Sequence, residues 1–256
     1  MRPVTYIRLL STSSTNDEVR RMLADDPDCQ DLTVVTTISQ TAGRGQQGNH
    51  WEAVAGKNLT FSVLLKPHRL PANRQFILSQ MMALAVQRTY SQYVDDVTVK
   101  WPNDIYWRDR KLSGTLIECD LQGKDVTTAI VGVGMNVNQT VFVSDAPNPV
   151  SLRQLTGRNY PLETILDQLM DQFTQLYGLP EAAWDSMVRK PYCDVLYRRE
   201  GFHPFQDASG RFDASIESIE PTGHLVLLTR EGERRRYEFK EVHFLLPEDE
   251  SIKKHR

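Results

Sequence analysis

The hydrophobic and polar positions of the chain follow two periods, one typical of strands and one typical of helices. Short β-branched or apolar runs predict strands over residues 33–37, 59–65, 97–101, 112–121 and from about 127 to 138. Apolar side chains at three- and four-residue spacing predict helices over residues 19–24, 75–93, 150–155, 162–177 and 182–197. We expect the second helix to pack one apolar face on a central sheet, and Pro191 to break the last one. The fold class is therefore α+β.

The pattern changes beyond residue 199, where short alternating strands replace the helices. These strands are predicted over residues 214–220, 224–229 and 234–239. We therefore expect two domains, a large one over residues 1–198 and a small one over 199–256. The arginines at 234–236 could approach phosphates or a partner protein, but a solvated strand edge is the better interpretation of such a charge run.

The segment KWPND, residues 100–104, is the most informative part of the chain. Pro102 cannot donate a hydrogen bond to a sheet, so the strand is expected to end there with Asn103 and Asp104 at its tip. A charged hairpin turn then leads to the next strand, which begins near Lys111. An amide, a carboxylate and an ammonium group at neighbouring strand ends suit an anionic substrate that is activated and passed to a nucleophile. By itself, Asp104 would be better interpreted as a turn-forming residue.

A glycine-rich segment, residues 40–51, joins two of the predicted strands. Its glycines are Gly43, Gly45 and Gly48. They let the backbone fold closely around a ligand, while Arg44 offers a permanent charge and Trp51 a face for an adenine ring. The spacing matches G-x-G-x-x-G, but a strand follows where a dinucleotide-binding fold has a helix, so that interpretation is rejected. Taken alone, such a loop is more often a plain connection.

Two further segments have both a structural and a functional interpretation. Gly132 and Gly134 alternate within a predicted strand, which indicates close approach by a ligand or, equally well, a bulge or tight crossing. Residues 13–18, SSTNDE, have the form of a capping box before a helix. A helix N-cap is the default interpretation, although the exposed N–H groups there could also hold an anion.

In this order, the four segments resemble the biotin protein ligases, over residues 6–244. The most specific parts are KWPND with the trailing Lys111 and Gly114, and the Gly-Arg-Gly loop that ends in Trp51. The resemblance implies a mixed central sheet flanked by helices, as in class II synthetases, and a small C-terminal SH3-like β-barrel. It implies an enzyme that joins biotin to ATP with Mg²⁺, forming biotinyl-5′-adenylate, and transfers biotin to one lysine of a biotin carboxyl carrier protein domain.

The resemblance also implies a role for each matching residue. The catalytic residues would be Lys111, Arg44 and Asp104, and the resemblance implies that Lys111 contacts the reacting carboxylate and phosphate. Asp104 is the candidate to orient the incoming amine or accept its proton, because that amine must lose a proton in the second step. The biotin-binding residues would be Ser14, Thr15, Asn16, Gln40, Gly43, Arg44, Gly45, Gln46, Lys111, Gly114, Gly132 and Gly134. The nucleotide-binding residues would be Arg44, Trp51, Asn103, Lys111 and Asn136.

The loop departs from the family pattern, which in many members continues as GRGRxGRxW. Here those positions are Gln46, Gln47 and Asn49. Arg44 therefore carries the positive charge of the loop, and we expect amide hydrogen bonds to replace part of the ionic contact with the ligand.

Composition narrows the functional classes. The net charge of −3 gives no general attraction to nucleic acid, and no segment is long and apolar enough to span a membrane, so a cytoplasmic enzyme is expected. The three cysteines and six histidines show no metal-ligand spacing, and Mg²⁺ is expected only with ATP.

Because the catalytic segment begins within the first fifteen residues, we expect the monofunctional type without an N-terminal DNA-binding domain. An exposed sheet edge could support a homodimer.

Two other functions remain open on the sequence. The first is that of the related lipoate-protein ligases and octanoyltransferases, which share the catalytic fold and acylate a similar lysine. The second is a non-catalytic ligand-binding module with a vestigial adenylation site, against which the joint presence of Arg44, Asp104 and Lys111 argues.

Overall fold

A computed structural model describes residues 3–45, 50–143 and 148–246. The loop positions Gln46, Gln47 and Asn49 lie outside the described residues. Over the part that is described, the chain forms an eight-stranded mixed sheet with helices packed against it, followed by a five-stranded antiparallel sheet. The predicted α+β class with a mixed central sheet is confirmed.

The large sheet has the strand order β1-β2-β3-β8-β7-β6-β5, with β4 pairing to β8 outside this path. Its strands are β1 (Thr5–Thr12), β2 (Thr33–Gln40), β3 (Leu59–Leu65), β4 (Leu70–Pro71), β5 (Val97–Lys100), β6 (Asp104–Trp107), β7 (Arg110–Gln122) and β8 (Asp125–Met135). The β1–β2 pair is parallel and the other pairs are antiparallel. Strands β1, β4 and β6 were not predicted. Asp104 begins β6, so it lies in a second strand rather than at a free strand tip.

The helices are α1 (Thr15–Asp25), α2 (Phe76–Tyr90), α3 (Leu152–Thr156), α4 (Leu162–Tyr177) and α5 (Lys190–Asp194). The segment 13–18 supplies the N-cap, as its default interpretation predicted, but α1 begins at Thr15 rather than near Val19. The cap is Ser14, whose hydroxyl accepts a hydrogen bond from the Asp17 N–H. Helix α2 is buried almost all round rather than on one face, because α4 packs on its other side. Met81 and Met82 are core residues of α2.

The predicted helix 182–197 forms over most of its range, but it changes type along its length and ends at Asp194. The chain forms a 3₁₀ turn (Glu181–Ala183), a π-helical turn (Asp185–Arg189) and then α5. Pro191 does not break a helix but lies in the first turn of α5. Arg189 and Lys190 keep helical backbone angles, so the helical path continues into the proline.

The second sheet has the order β12-β11-β10-β9-β13 and is antiparallel throughout. Its strands are β9 (His203–Asp207), β10 (Gly210–Ile219), β11 (Leu225–Thr229), β12 (Arg234–Tyr237) and β13 (His243–Phe244). Over the described residues this sheet is open, with no pairing between β12 and β13, so closure into a barrel is not confirmed. Strands β9 and β13 were not predicted.

The arginine run lies on β12, the edge strand of this sheet, as the solvated-edge interpretation predicted. Arg234 pairs with Glu217, and Arg236 pairs with Glu220. Arg235 pairs with Glu233 and lies 3.4 Å from Asp207. The three guanidinium groups are therefore bound to carboxylates of their own sheet.

The two sheets meet at the KWPND turn. The indole N–H of Trp101 donates to the Gly223 carbonyl at 2.9 Å, and the Trp101 ring contacts Phe239 edge-on at 6.0 Å. Tyr192 of α5 donates from its hydroxyl to the Pro102 carbonyl at 2.7 Å. The turn is thus held from two sides, which sets the position of the residues that follow it.

No helix in the described segments is long and apolar enough to cross a membrane.

Candidate active site

A cleft of about 920 Å³ lies where α1, the ends of β2 and β8, the start of β7 and the KWPND turn come together. The predicted site residues that line it are Ser14, Thr15, Asn16, Gln40, Arg44, Gly45, Trp51, Asn103, Asp104, Lys111, Gly114, Gly132, Gly134 and Asn136. Gly43 lies directly behind this wall, with its backbone against Trp51 and Gln40. Gln46 lies outside the described residues. Local motifs that are far apart in the sequence thus form one site.

The cleft floor consists of Ser14, Thr15, Asn16 and Gln40. The backbone N–H and the hydroxyl of Thr15 both donate to Gln40 Oε1, at 2.9 and 3.3 Å. This leaves the NH₂ group of Gln40 directed toward Gly43 and the loop. Ser62 of β3 lies beneath, with its hydroxyl 2.6 Å from Asn16 Oδ1 and 2.7 Å from the Thr15 hydroxyl. The floor is therefore polar, uncharged and oriented by its own hydrogen bonds.

The glycines of β8 make room for two side chains of the cleft. A Cβ atom on Gly132 would collide with Asn16 Oδ1, and one on Gly134 would collide with the Trp51 ring. Through these residues the register of β8 with both β3 and β7 is continuous. The bulge that the sequence left open is therefore excluded, and the glycines serve close approach by side chains.

Lys111 and Asp104 form an ion pair at the wall of the cleft. The Lys111 Nζ atom lies 2.7 Å from Asp104 Oδ2, and each side chain is about one quarter exposed, 26% and 27%. A shift of register between β6 and β7 brings the two residues together, and a Cβ on Gly114 would lie 3.2 Å from Lys111 Nζ. Asn103 is anchored to the same strand, since its amide donates to the Thr115 carbonyl at 2.5 Å.

Arg44 has a partner that the sequence did not predict. Its guanidinium group pairs with Asp17 in the first turn of α1, and both side chains are about half exposed. The base of the loop is closed by two backbone contacts. The Trp51 N–H donates to the Gly43 carbonyl at 2.9 Å, and Arg44 and His50 form an isolated antiparallel β-bridge. The positive charge of Arg44, which the sequence predicts to contact the ligand, is thus balanced by a carboxylate of the protein.

Trp51 and Asn136, which the sequence predicts to contact the nucleotide, both line the cleft. The Trp51 indole N–H is buried without a hydrogen-bond partner. Lys111 Nζ lies 5.9 Å from the centre of the Trp51 ring. Asn136 is 2% exposed, and its Nδ2 atom lies 3.4 Å from the Lys111 carbonyl, so its amide is part of the support beneath Lys111.

Several cleft residues were missed by the sequence analysis. They are Lys100, Tyr106, Phe239, Lys240 and His243 in the lining, and Ser62 and Glu118 among the supporting side chains. Lys100 belongs to KWPND and could have been found there. Burial raises the pKa of Tyr106 well above its usual range, so its neutral hydroxyl can accept from Lys100 at 3.2 Å. Phe239, Lys240 and His243 come from the second sheet, and no local pattern marks them.

The described residues contain no group of three or more His, Cys, Asp or Glu side chains that could hold a metal ion. The three cysteines are free and partly buried.

Comparison with known proteins agrees with the geometry. A model described as the biotin/lipoate A/B protein ligase family matches residues 10–136. The biotin–[acetyl-CoA-carboxylase] ligase of Mycobacterium tuberculosis is 31% identical over 187 residues, which cover 70% of this chain and 68% of that protein. The bifunctional ligase/repressor BirA of Bacillus subtilis is 26% identical over 219 residues, 80% of this chain and 64% of that protein.

A solved structure, the biotin protein ligase from Aquifex aeolicus in complex with biotin and ATP, has the same fold. The TM-score is 0.72 at 21% identity, and the match covers 93% of this chain and 97% of that one. Since the family model, the curated relatives and the fold agree with the residues found in the cleft, the chain belongs to the biotin/lipoate A/B protein ligase family, and within it to the biotin protein ligases.

Proposed function

We propose that this chain activates biotin with ATP and transfers it to a lysine of a carrier protein. A carboxylate oxygen of biotin attacks the α-phosphorus of ATP, forming biotinyl-5′-adenylate and releasing pyrophosphate. The lysine amine of the carrier then attacks the acyl carbon, and AMP leaves. The observation that carries the proposal is one cleft in which an uncharged polar floor adjoins the Lys111–Asp104 pair. The similarity to a biotin–[acetyl-CoA-carboxylase] ligase also supports the proposal.

The cleft floor favours biotin over lipoate. The head of biotin is a cyclic urea, with two N–H donors and a carbonyl acceptor, and the floor supplies amide and hydroxyl groups of both kinds. The dithiolane ring of lipoate would leave these groups without partners. Sites built to hydrogen-bond a polar group reject analogues that lack it by about 10⁴- to 10⁵-fold.

Lys111 would stabilise the negative charge that develops as the two anions react. Preorganised charge in a site shielded from water is usually the largest single contribution to catalysis. Lys111 must exchange its contact with Asp104 for the ligand, and Asp104 is then available to orient the incoming amine or accept its proton. Arg44 would approach the same anions from the loop, with Gly43, Gly45 and Gln46 contributing backbone or amide contacts.

The nucleotide would lie along Trp51, with its adenine on the exposed part of the ring. Asn103, Asn136 and Lys111 would form the opposite side. Mg²⁺ would enter with the phosphates of ATP, where it lowers their charge.

Residues 1–198 would form the catalytic domain and residues 199–256 the SH3-like domain. A biotin carboxyl carrier domain would be the protein partner that presents its lysine to the cleft. A homodimer through an edge of the large sheet also remains part of the proposal.

The experiment that tests this function uses a biotin carboxyl carrier domain as acceptor. The chain is incubated with the carrier, Mg-ATP and either biotin or lipoate, and the carrier is weighed by intact-mass spectrometry. We expect one biotinyl group per carrier, no lipoyl group, and no product when the target lysine of the carrier is changed to arginine. Lipoylation without biotinylation would assign the chain to the lipoate branch instead. Absence of both products would contradict the proposal.

A further inference from the structure

Beneath the cleft floor, one carboxylate contacts a floor residue without lining the cleft itself. We propose that this carboxylate, Glu118, is a positioning residue that orients the Asn16 amide toward the uncharged head of biotin. The inference rests on the proposed function and adds the source of part of its ligand selectivity. Glu118 lies on β7, two positions before Asp120 and four after Gly114.

Asn16 is 4% exposed, and both ends of its amide have partners. Its Oδ1 atom accepts from the Ser62 hydroxyl at 2.6 Å and occupies the space left by Gly132. Its Nδ2 atom donates to Glu118 Oε2 at 2.8 Å. One of the two Nδ2 hydrogens is therefore bound to Glu118, and the other is available to an acceptor in the cleft.

The charge of Glu118 determines which way the amide faces. An ionised carboxylate accepts hydrogen bonds and cannot donate them, so it stabilises Asn16 only with Nδ2 toward it. The serine beneath could donate or accept and would not by itself choose between the two orientations. Since hydrogen bonds to ionised groups are roughly twice as strong as neutral ones, Glu118 sets the orientation of Asn16.

Arg20 holds Glu118 in place from the outer face of α1. Its Nη2 atom lies 3.7 Å from Glu118 Oε2, and its Nη1 atom lies 3.5 Å from Asp120 Oδ1. The Glu118 side chain is 32% exposed, whereas that of Asp120 is 52% exposed and contacts Thr128 rather than the cleft. The two carboxylates thus share an arginine but differ in their contact with Asn16, which provides a matched control.

The test measures pyrophosphate release as a function of biotin and of ATP in the whole protein. Glu118→Ala is expected to raise the KM for biotin by about tenfold, because the Asn16 amide is no longer held in one orientation. A tenfold change corresponds to about 1.4 kcal/mol in a binding free energy. The KM for ATP should change by less than about twofold, because the nucleotide side of the cleft is untouched. Glu118→Gln should raise the KM for biotin less than Glu118→Ala does but should not restore it fully, since its amide can accept from Asn16 but can also donate and so no longer selects one orientation.

Asp120→Ala is the control, and it should leave the KM for biotin unchanged. A double mutant with Asn16→Ala tests whether Glu118 acts through Asn16. If it does, Glu118→Ala adds no further increase in the KM for biotin in that background. Thermal unfolding of each variant shows whether the fold is kept. If Glu118→Ala proves unstable, Glu118→Leu, which keeps the aliphatic part of the side chain, takes its place in the same cycle.

The inference is overturned if Glu118→Ala leaves the KM for biotin unchanged, or if Asp120→Ala raises it equally. It is also overturned if the effects of Glu118→Ala and Asn16→Ala simply add. Failure of the proposed function is a different result. In that case the unmodified protein would release no pyrophosphate with biotin, and its calorimetric titration with biotin would show no binding.

Discussion

At the scale of single residues, both cations assigned to the reacting anions already have carboxylate partners. Lys111 is paired with Asp104, and Arg44 is paired with Asp17. An anionic ligand must therefore replace a carboxylate of the protein at each cation. Before the ligand arrives, each carboxylate balances the charge of its own cation, and this sets the direction of the effects expected on removal of each partner.

Lys111→Ala is expected to lower the rate of adenylate formation by about 10²- to 10³-fold, the effect typical of removing one preorganised charge contact. The fold should be kept, since both members of the pair are partly exposed. Single-turnover pyrophosphate release measures the rate, and thermal unfolding serves as the control. An unchanged rate of pyrophosphate release would contradict the assigned role of Lys111.

Asp17→Asn removes the competitor for Arg44. Exposed ion pairs contribute about 0.2–1 kcal/mol, so the Kd for a biotinyl-adenylate analogue is expected to fall by up to about fivefold. Calorimetric titration measures this Kd. Glu18→Gln is the matched control, since Glu18 pairs with Arg21 on the same helix. A weaker affinity of Asp17→Asn would show instead that Asp17 holds Arg44 in its binding position.

The individual site residues could be predicted from the sequence because their motifs are local. KWPND, the glycine loop and the V-G-V-G run can each be recognised within a few positions. Asp17 and Glu118 were missed because their roles depend on contacts across 27 and 102 positions. Phe239 and Lys240 were missed for the same reason, since only the packing of the second sheet brings them to the cleft.

At the scale of elements, β8 determines the shape of the cleft because its glycines admit side chains from other elements. Gly134→Ala would force the new methyl group against the Trp51 ring. We expect a loss of about 1–3 kcal/mol in the free energy of unfolding, the usual cost of overpacking, together with weaker ATP binding. Denaturant unfolding and the KM for ATP measure the two effects.

The double mutant Gly134→Ala with Trp51→Ala separates this clash from other causes. Removal of the indole ring should abolish most of the destabilisation by Gly134→Ala, so that the two effects are not additive. Additive losses would mean that the alanine is destabilising for a reason other than Trp51.

Asp207 couples two strands of the second sheet in a pH-dependent way. Hydrogen bonds from Ser209 and Tyr237 lower the pKa of its carboxyl group to about 2. A carboxylate with a lowered pKa stabilises the folded state above its unfolded pKa of about 3.9. This stabilisation is lost as the pH falls from about 4 toward 2.

Asp207→Asn should therefore lower the unfolding temperature at neutral pH and lessen its further decrease in acid. Unfolding temperatures between about pH 7 and pH 2 measure this dependence. Asp213→Asn is the control, because Asp213 of β10 pairs with the exposed Arg230 instead of joining β9 to β12. Equal acid sensitivity of Asp207→Asn and the unmodified protein would contradict the coupling.

The predictability of the elements followed the length and regularity of their apolar patterns. Strand β3 and helix α4 match their predicted ranges because their apolar patterns are long and regular. Strand β1 is an edge strand whose inner and outer positions do not alternate cleanly, and β4 and β13 have two residues each. The segment around α5 was predicted as one helix because its π-helical and 3₁₀ turns keep a nearly helical spacing.

At the scale of the whole molecule, the second sheet supports the site through the KWPND turn. Trp101→Phe keeps an aromatic ring against Phe239 but removes the hydrogen bond to Gly223. A neutral hydrogen bond contributes about 1 kcal/mol, which corresponds to about 2–4 °C in the unfolding temperature for a chain of this length. We expect this decrease together with a lower rate of adenylation. A stability loss without any change in rate would mean that the two sheets are not coupled at the site.

The measurement that tests the account most directly is mass spectrometry of the products formed from Mg-ATP with biotin and, in parallel, with lipoate. The polar cleft floor and the Lys111–Asp104 pair predict biotinyl-5′-adenylate and pyrophosphate with biotin, no acyl-adenylate with lipoate, and little of either product with Lys111→Ala. An adenylate formed from lipoate alone, or none from either acid, would contradict the assignment of this cleft to biotin activation.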